Sequence, residues 1–195
     1  TSSYRSNPER LSEFALSRRD PQYVSRSKVM RQIERDREAG KALPEEVLNV
    51  YAALTKAGVK NDPAHTDIGS TIFANMPGDG SAREQAASCQ RVLGGCANIC
   101  YEFATKRYRS NCVNWGMLPF TLAEGTAFDG NAGDFVYVPG VREKVARGDE
   151  EFPAVLVHKG EAQPITLYLK NTSAEERELL LTGCLMNHYA AQNRR

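Results

Sequence analysis

The chain has 195 residues, of which 41% are hydrophobic and 25% charged, with a formal charge of +1 from 25 basic and 24 acidic side chains. That is room for one sizeable core, alone or with a helical appendage, in a soluble globular domain. The balanced charge argues against a nucleic-acid or membrane-surface protein, and no apolar run approaches the ~20 residues of a membrane span. The chain opens Thr1-Ser2-Ser3-Tyr4-Arg5, with neither methionine nor a secretory apolar stretch, which predicts a piece cut from a longer protein.

Asn7-Pro8-Glu9 is a helix start: a capping side chain, proline in the first turn and an acid beside it. Asp20-Pro21 interrupts that helix near Arg19. Residues 26–39 carry Val29, Met30 and Ile33 as a narrow apolar stripe among charges, which predicts a second helix covering a surface. Leu43-Pro44-Glu45 begins a third, with Val47, Val50, Tyr51 and Leu54 on one face and Gly58 at its end. The first sixty or so residues therefore read as helical and heavily charged.

From Ile68 the pattern changes. Ile72-Phe73-Ala74 is strand-like, then Arg83–Leu93 reads as a helix with Ala86, Cys89 and Leu93 on one face, broken by Gly94-Gly95. Cys96–Phe103 fits either a short buried strand followed by a helix or one continuous helix. Gly116–Phe120 reads as a stiff apolar turn and Gly125–Gly133 as loop. Strands follow at Phe135–Val138, Ala154–His158 and Ile165–Lys170, with a short helix over Val141–Ala146. Ser173-x-x-Glu176 opens a final helix that stops near Gly183. These elements predict an α/β or α+β layered domain. Tyr4-Arg5-Ser6-Asn7 recurs as Tyr108-Arg109-Ser110-Asn111; each Asn is a candidate cap and each Arg a candidate ligand of one anion.

The five cysteines, at 89, 96, 100, 112 and 184, do not pair evenly, and Cys96-x-x-x-Cys100 lacks the spacing of a zinc ribbon. They read as small buried thiols in a reducing cytoplasm.

The segment that points to chemistry is Gly78-Asp79-Gly80-Ser81-Ala82-Arg83-Glu84, between the first strand and the following helix. Glycines allow a tight turn and close approach of a ligand. The first N–H groups of the helix are unpaired and carry positive partial charge. Ser81 and Arg83 thus stand at an anion site, one as hydroxyl and one as permanent cation. The same letters encode a capping box, in which Ser81 accepts from the Glu84 N–H and the Glu84 carboxylate reaches back. No Gly-Lys-Ser/Thr follows, and Gly78-x-Gly80 lacks the third glycine of a dinucleotide loop.

Gly78 to Ala87 resembles the Gly-x-Gly-Ser-Ser-Arg-Glu-His-Ala-Ala signature of the C-terminal swivelling domain of the aconitase and isopropylmalate isomerase superfamily. Further blocks are similar in the same order: Arg91-Val92-Leu93-Gly94-Gly95, Glu102-Phe103-Ala104, Asn111 ahead of Gly116-Met117-Leu118-Pro119-Phe120, and Gly183-Cys184-Leu185-Met186-Asn187. The resemblance covers roughly residues 70–190. It implies an α/β swivelling domain of layered β/β/α type over 65–195, with the helices of 1–64 as an added N-terminal segment packed on the core.

In function, the resemblance implies an iron–sulfur hydro-lyase acting on a hydroxy-polycarboxylic acid, with this chain as its C-terminal domain. Ser81 would be the base that takes a proton from the carbon beside a carboxylate. Arg83 would bind a substrate carboxylate, with Gly80 in the same turn. Arg5 corresponds to a family arginine that follows a Thr-Thr-Asp segment, and Arg109 is the further candidate from the repeat. The [4Fe–4S] cluster would be held by domains absent from this chain, which are its expected partners; the chain alone would hold none and would be inactive. Ala82 stands in place of the family's second serine and Gln85 in place of its histidine, and segment 9–60 is unlike the standard aconitases, so a divergent hydratase branch is implied. Two alternatives remain: a small subunit of a two-chain isopropylmalate-isomerase-like dehydratase, or a non-catalytic binding module, with RNA disfavoured by the neutral charge.

Overall fold

The computed structural model describes residues 6–18 and 20–184. The helical first third forms as the caps dictate. Asn7 Oδ1 accepts from the Arg10 N–H at 3.1 Å and starts α1, Pro8–Ser17. Asp20 Oδ1 accepts from the Gln22 N–H at 2.9 Å and starts α2, Pro21–Glu38, so Asp20-Pro21 closes one helix and opens the next earlier than residue 26. Helix α3 covers Glu45–Lys56 and ends before Gly58, whose φ is +76°.

β1 (Ser70–Ala74), α4 (Arg83–Val92), β2 (Gly95–Cys100), α5 (Lys106–Asn114) and β3 (Leu118–Thr121) alternate, and the three strands pair in parallel. Then come β4 (Phe135–Tyr137), α6 (Val141–Arg147), β5 (Glu151–His158), β6 (Glu161–Tyr168) and α7 (Ala174–Thr182). All six strands join in one mixed sheet of order β1-β2-β3-β6-β5-β4, antiparallel from β3 onward. The fold is α/β. The β5–β6 hairpin turns through Lys159 and Gly160, both at positive φ, as a tight two-residue hairpin requires. Residues 118–121 form a strand where the sequence predicted only a turn. β3 shares a single register pair with β6, Thr121 with Tyr168, so the missing N–H of Pro119 interrupts no continuous ladder there.

The main core lies on one face of the sheet. It joins Ala97 and Ile99 of β2, Phe120 of β3, Phe152 and Ala154 of β5, and Leu167 of β6 with Val145 of α6. The alternate residues of β5, Val155 and Val157, pack instead under Val47, Tyr51 and Leu54 of α3. Behind β2, Ala87 of α4 packs with Tyr108 and Cys112 of α5. Arg31 of α2 ties the first helices to this body: it donates to the Val92 carbonyl and pairs with Glu9, both at 2.7 Å. None of the described helices is long and apolar enough to cross a membrane.

Candidate functional site

The Gly78–Arg83 turn follows the carboxyl end of β1, where parallel α/β sheets commonly open toward ligands. The neighbouring loop after β2 pins it. The Asn75 carbonyl accepts from the Tyr101 and Glu102 N–H groups at 3.2 and 3.3 Å, and the Pro77 carbonyl accepts from Ala104 N–H at 2.9 Å. Gly78 has φ +99°, and a Cβ there would meet the Tyr108 side chain at 2.5 Å, so both conformation and space demand glycine. Its carbonyl accepts from Thr105 Oγ1 at 3.2 Å and from Arg83 Nε at 3.0 Å. The root of α5, where Thr105 is the N-cap, is thereby locked to the turn.

Ser81 is exposed and does not cap the helix. The N-cap of α4 is Ala82, which makes no side-chain bond to the first turn, and Ser81 lies one residue outside. The capping box expected between Ser81 and Glu84 is absent. Glu84 Oε1 accepts instead from the Trp115 indole N–H at 2.6 Å. The Asn111 amide, oriented by the groups that face it, donates to Glu84 Oε2 and accepts from the Glu84 N–H, both at 3.1 Å. Asn111 of α5 therefore takes the place expected of the Ser81 hydroxyl, Trp115 at the α5 C-cap holds the Glu84 carboxylate, and the Ser81 hydroxyl makes no hydrogen bond within the described chain.

Arg83 is half-buried and, among the described residues, faces no carboxylate within ion-pair distance. With Nε on the Gly78 carbonyl, its two terminal nitrogens remain available. Gly78, Gly80 and Arg83 line an open groove that continues along β1 past Phe73 to Phe128. Gly80 has ordinary φ and open space where a Cβ would stand, so nothing in the fold requires glycine at that position.

The other candidate arginines do not join this group. Arg109 Nη1 forms an ion pair with Glu176 at 2.8 Å and Nη2 donates to the Lys170 carbonyl at 3.2 Å, which docks α7 on α5. It does not line the groove. The two asparagines of the tetrapeptide it shares with residues 4–7 differ in role: Asn7 caps α1, while Asn111 lies inside α5. Arg5 lies outside the described residues, as do Leu185, Met186 and Asn187 of the tail block.

Beneath the turn, Asn98 of β2 donates to Tyr108 Oη at 3.1 Å and to Cys112 Sγ at 3.4 Å. Burial pushes the Cys100 thiol up to about 12 and the Cys112 thiol up to about 11, so both stay protonated near neutrality. No group of three or more His, Cys, Asp or Glu among the described residues is placed to hold a metal ion. These residues therefore do not fit an iron–sulfur cluster.

Reading the sequence alone did not find Thr105, Trp115 or the role of Asn111. Asn111 was marked only by its spacing ahead of Gly116, and Trp115 carried no signal beyond being the one tryptophan.

Residues 55–125, which include β1 to β3 with α4 and α5, match the family profile described as the aconitase C-terminal domain. A putative mitochondrial aconitate hydratase of Emericella nidulans is 32% identical over 112 residues, covering 56% of this chain and 14% of that protein. Aconitate hydratase A of Bradyrhizobium diazoefficiens is 37% identical over 84 residues, covering 43% of this chain and 8% of that protein. The chain thus matches only a small part of the length of these relatives. Among solved structures, the 3-isopropylmalate dehydratase of Methanocaldococcus jannaschii aligns with a TM-score of 0.44 at 24% identity, covering 75% of this chain and 79% of that one.

Proposed function

From the match of residues 55–125 to the aconitase C-terminal domain, we propose that the chain supplies the base and part of the carboxylate site of an aconitase-like hydro-lyase. The enzyme interconverts a hydroxy-polycarboxylic acid and its unsaturated partner. Residues 65–195 form the catalytic domain, and the helices of 1–64 are an addition packed on it. In this reading, Ser81 takes the proton from the carbon beside a substrate carboxylate, and Arg83 holds a carboxylate with its terminal nitrogens. Arg5 is the second cation. Gly80 leaves room for the substrate against the backbone. The [4Fe–4S] cluster of such an enzyme belongs to the rest of the longer protein, in a reducing compartment such as the cytoplasm.

A serine hydroxyl is far too weak an acid to serve as a base unaided. Its alkoxide must be stabilised by fixed donors in a site that excludes water. The Arg83 and Gln85 N–H groups at the start of α4 and the Arg83 guanidinium are such donors. The observation that carries the reading is an exposed Ser81 that is not used for capping, two residues ahead of an arginine that lines the groove and has no carboxylate partner among the described residues. The test is Arg83→Gln in the longer protein, assayed with a tricarboxylic hydroxy acid. A rise in KM of about 10-fold or more supports the carboxylate role, as loss of a charged hydrogen bond gives. An unchanged KM contradicts it.

A further inference from the structure

The letters Ser81-x-x-Glu84 are those of a capping box, and an α4 that formed one would cost the site its base. Ser81 Oγ would accept from the Glu84 N–H, and the Glu84 carboxylate would bond back to the Ser81 N–H. Each Glu84 atom needed for that box is taken by Asn111 of α5 or by Trp115 at its C-cap. The Asn111 carbonyl oxygen occupies the Glu84 N–H, while the Asn111 amide and the Trp115 indole occupy both carboxylate oxygens. The Arg83 and Gln85 N–H groups make no hydrogen bond within the described chain, so the first turn keeps donors open to a ligand.

We infer that Asn111 and Trp115 are positioning residues which act through Glu84 to block the capping box, keeping the Ser81 hydroxyl and the first turn of α4 open to a carboxylate. The inference rests on the function proposed above and deepens it. A second effect has the same sign: a loose Glu84 carboxylate beside Arg83 would compete with a bound anion, and the clamp draws that charge onto α5.

The experiment has a structural arm and a binding arm, both on this chain. The structural arm follows exchange of the Glu84 amide by NMR. With Asn111 in place, Ser81→Ala leaves that exchange unchanged. In Asn111→Ala the box can form, so adding Ser81→Ala raises exchange about five- to tenfold, as loss of a serine cap does. The binding arm titrates propane-1,2,3-tricarboxylate. Asn111→Ala weakens binding about fivefold or more, whereas the pair Asn111→Asp with Glu84→Gln, which keeps every hydrogen bond of the clamp, returns it to within about twofold. Exchange that already responds to Ser81→Ala in the unaltered chain overturns the inference, because Ser81 is then the cap. Unchanged binding by Asn111→Ala, with binding still dependent on Arg83, overturns the inference and leaves the proposed site standing. No Arg83-dependent binding by the unaltered chain overturns both.

Discussion

Gly78 lies so close against Tyr108 that a Cβ at position 78 would stand 2.5 Å from Tyr108 Cβ and 2.6 Å from Cγ. This contact joins the Gly78–Arg83 turn to α5. It also separates the roles of the two glycines that drew attention in the sequence. Gly78→Ala must strain a left-handed backbone and displace a buried aromatic ring, so it should destabilise the chain by about 2–4 kcal/mol in a urea titration. Gly80→Ala, with ordinary φ and nothing within 4 Å, should leave the urea midpoint unchanged and weaken carboxylate binding instead.

The ion pair of Arg109 with Glu176 predicts a structural phenotype. Both side chains are about one-fifth exposed, at 21% and 22%, so the pair is partly sheltered from water. Arg109→Met should lower stability by about 1 kcal/mol, read from the denaturant midpoint, and leave KM of the proposed hydro-lyase within about twofold. A large rise in KM without loss of stability would restore Arg109 to the substrate site.

Asp134 gives a pH prediction. Burial opposes ionisation of its carboxyl, but the Asn131 N–H and the His158 ring outweigh this and hold it below the usual value of 3.8. A carboxyl whose pKa is depressed on folding adds stability that is complete above its unfolded pKa and is lost as pH falls through the folded one. Asp134→Asn should therefore lower Tm at pH 7, and the gap from the unaltered chain should close as pH falls below about 3.8. A gap of constant size across that range would show that Asp134 acts through shape alone.

The two Ser-x-x-Glu segments show where sequence reading succeeds and where it stops. Ser173 and Glu176 form a full capping box at α7, as their spacing predicts. Ser81 and Glu84 have the same spacing and form none, because Trp115, 31 residues away, and Asn111 claim the glutamate. Local signals were legible: the Asn7 cap, the Asp20-Pro21 break, the glycine turn and Arg83 at its end. Pairings across the fold were not. The partner of Arg109 is 67 residues distant, and Leu118–Thr121 is a strand only because β2 and β6 flank it. The alternation of Phe152 and Ala154 against Val155 and Val157 shows that β5 is covered on both faces, but which helix lies on each is set by tertiary packing.

The most direct test of the proposal that Ser81 is the base is Ser81→Ala in the proposed hydro-lyase, with kcat, KM and thermal stability measured together. Ser81 is exposed and caps nothing, so Tm should not move. A base that acts only in the transition state should show as a fall in kcat of about 10²-fold or more with little change in KM. Full activity in the alanine variant, or an activity loss that simply follows a loss of folded protein, would contradict the assignment of Ser81 as the base.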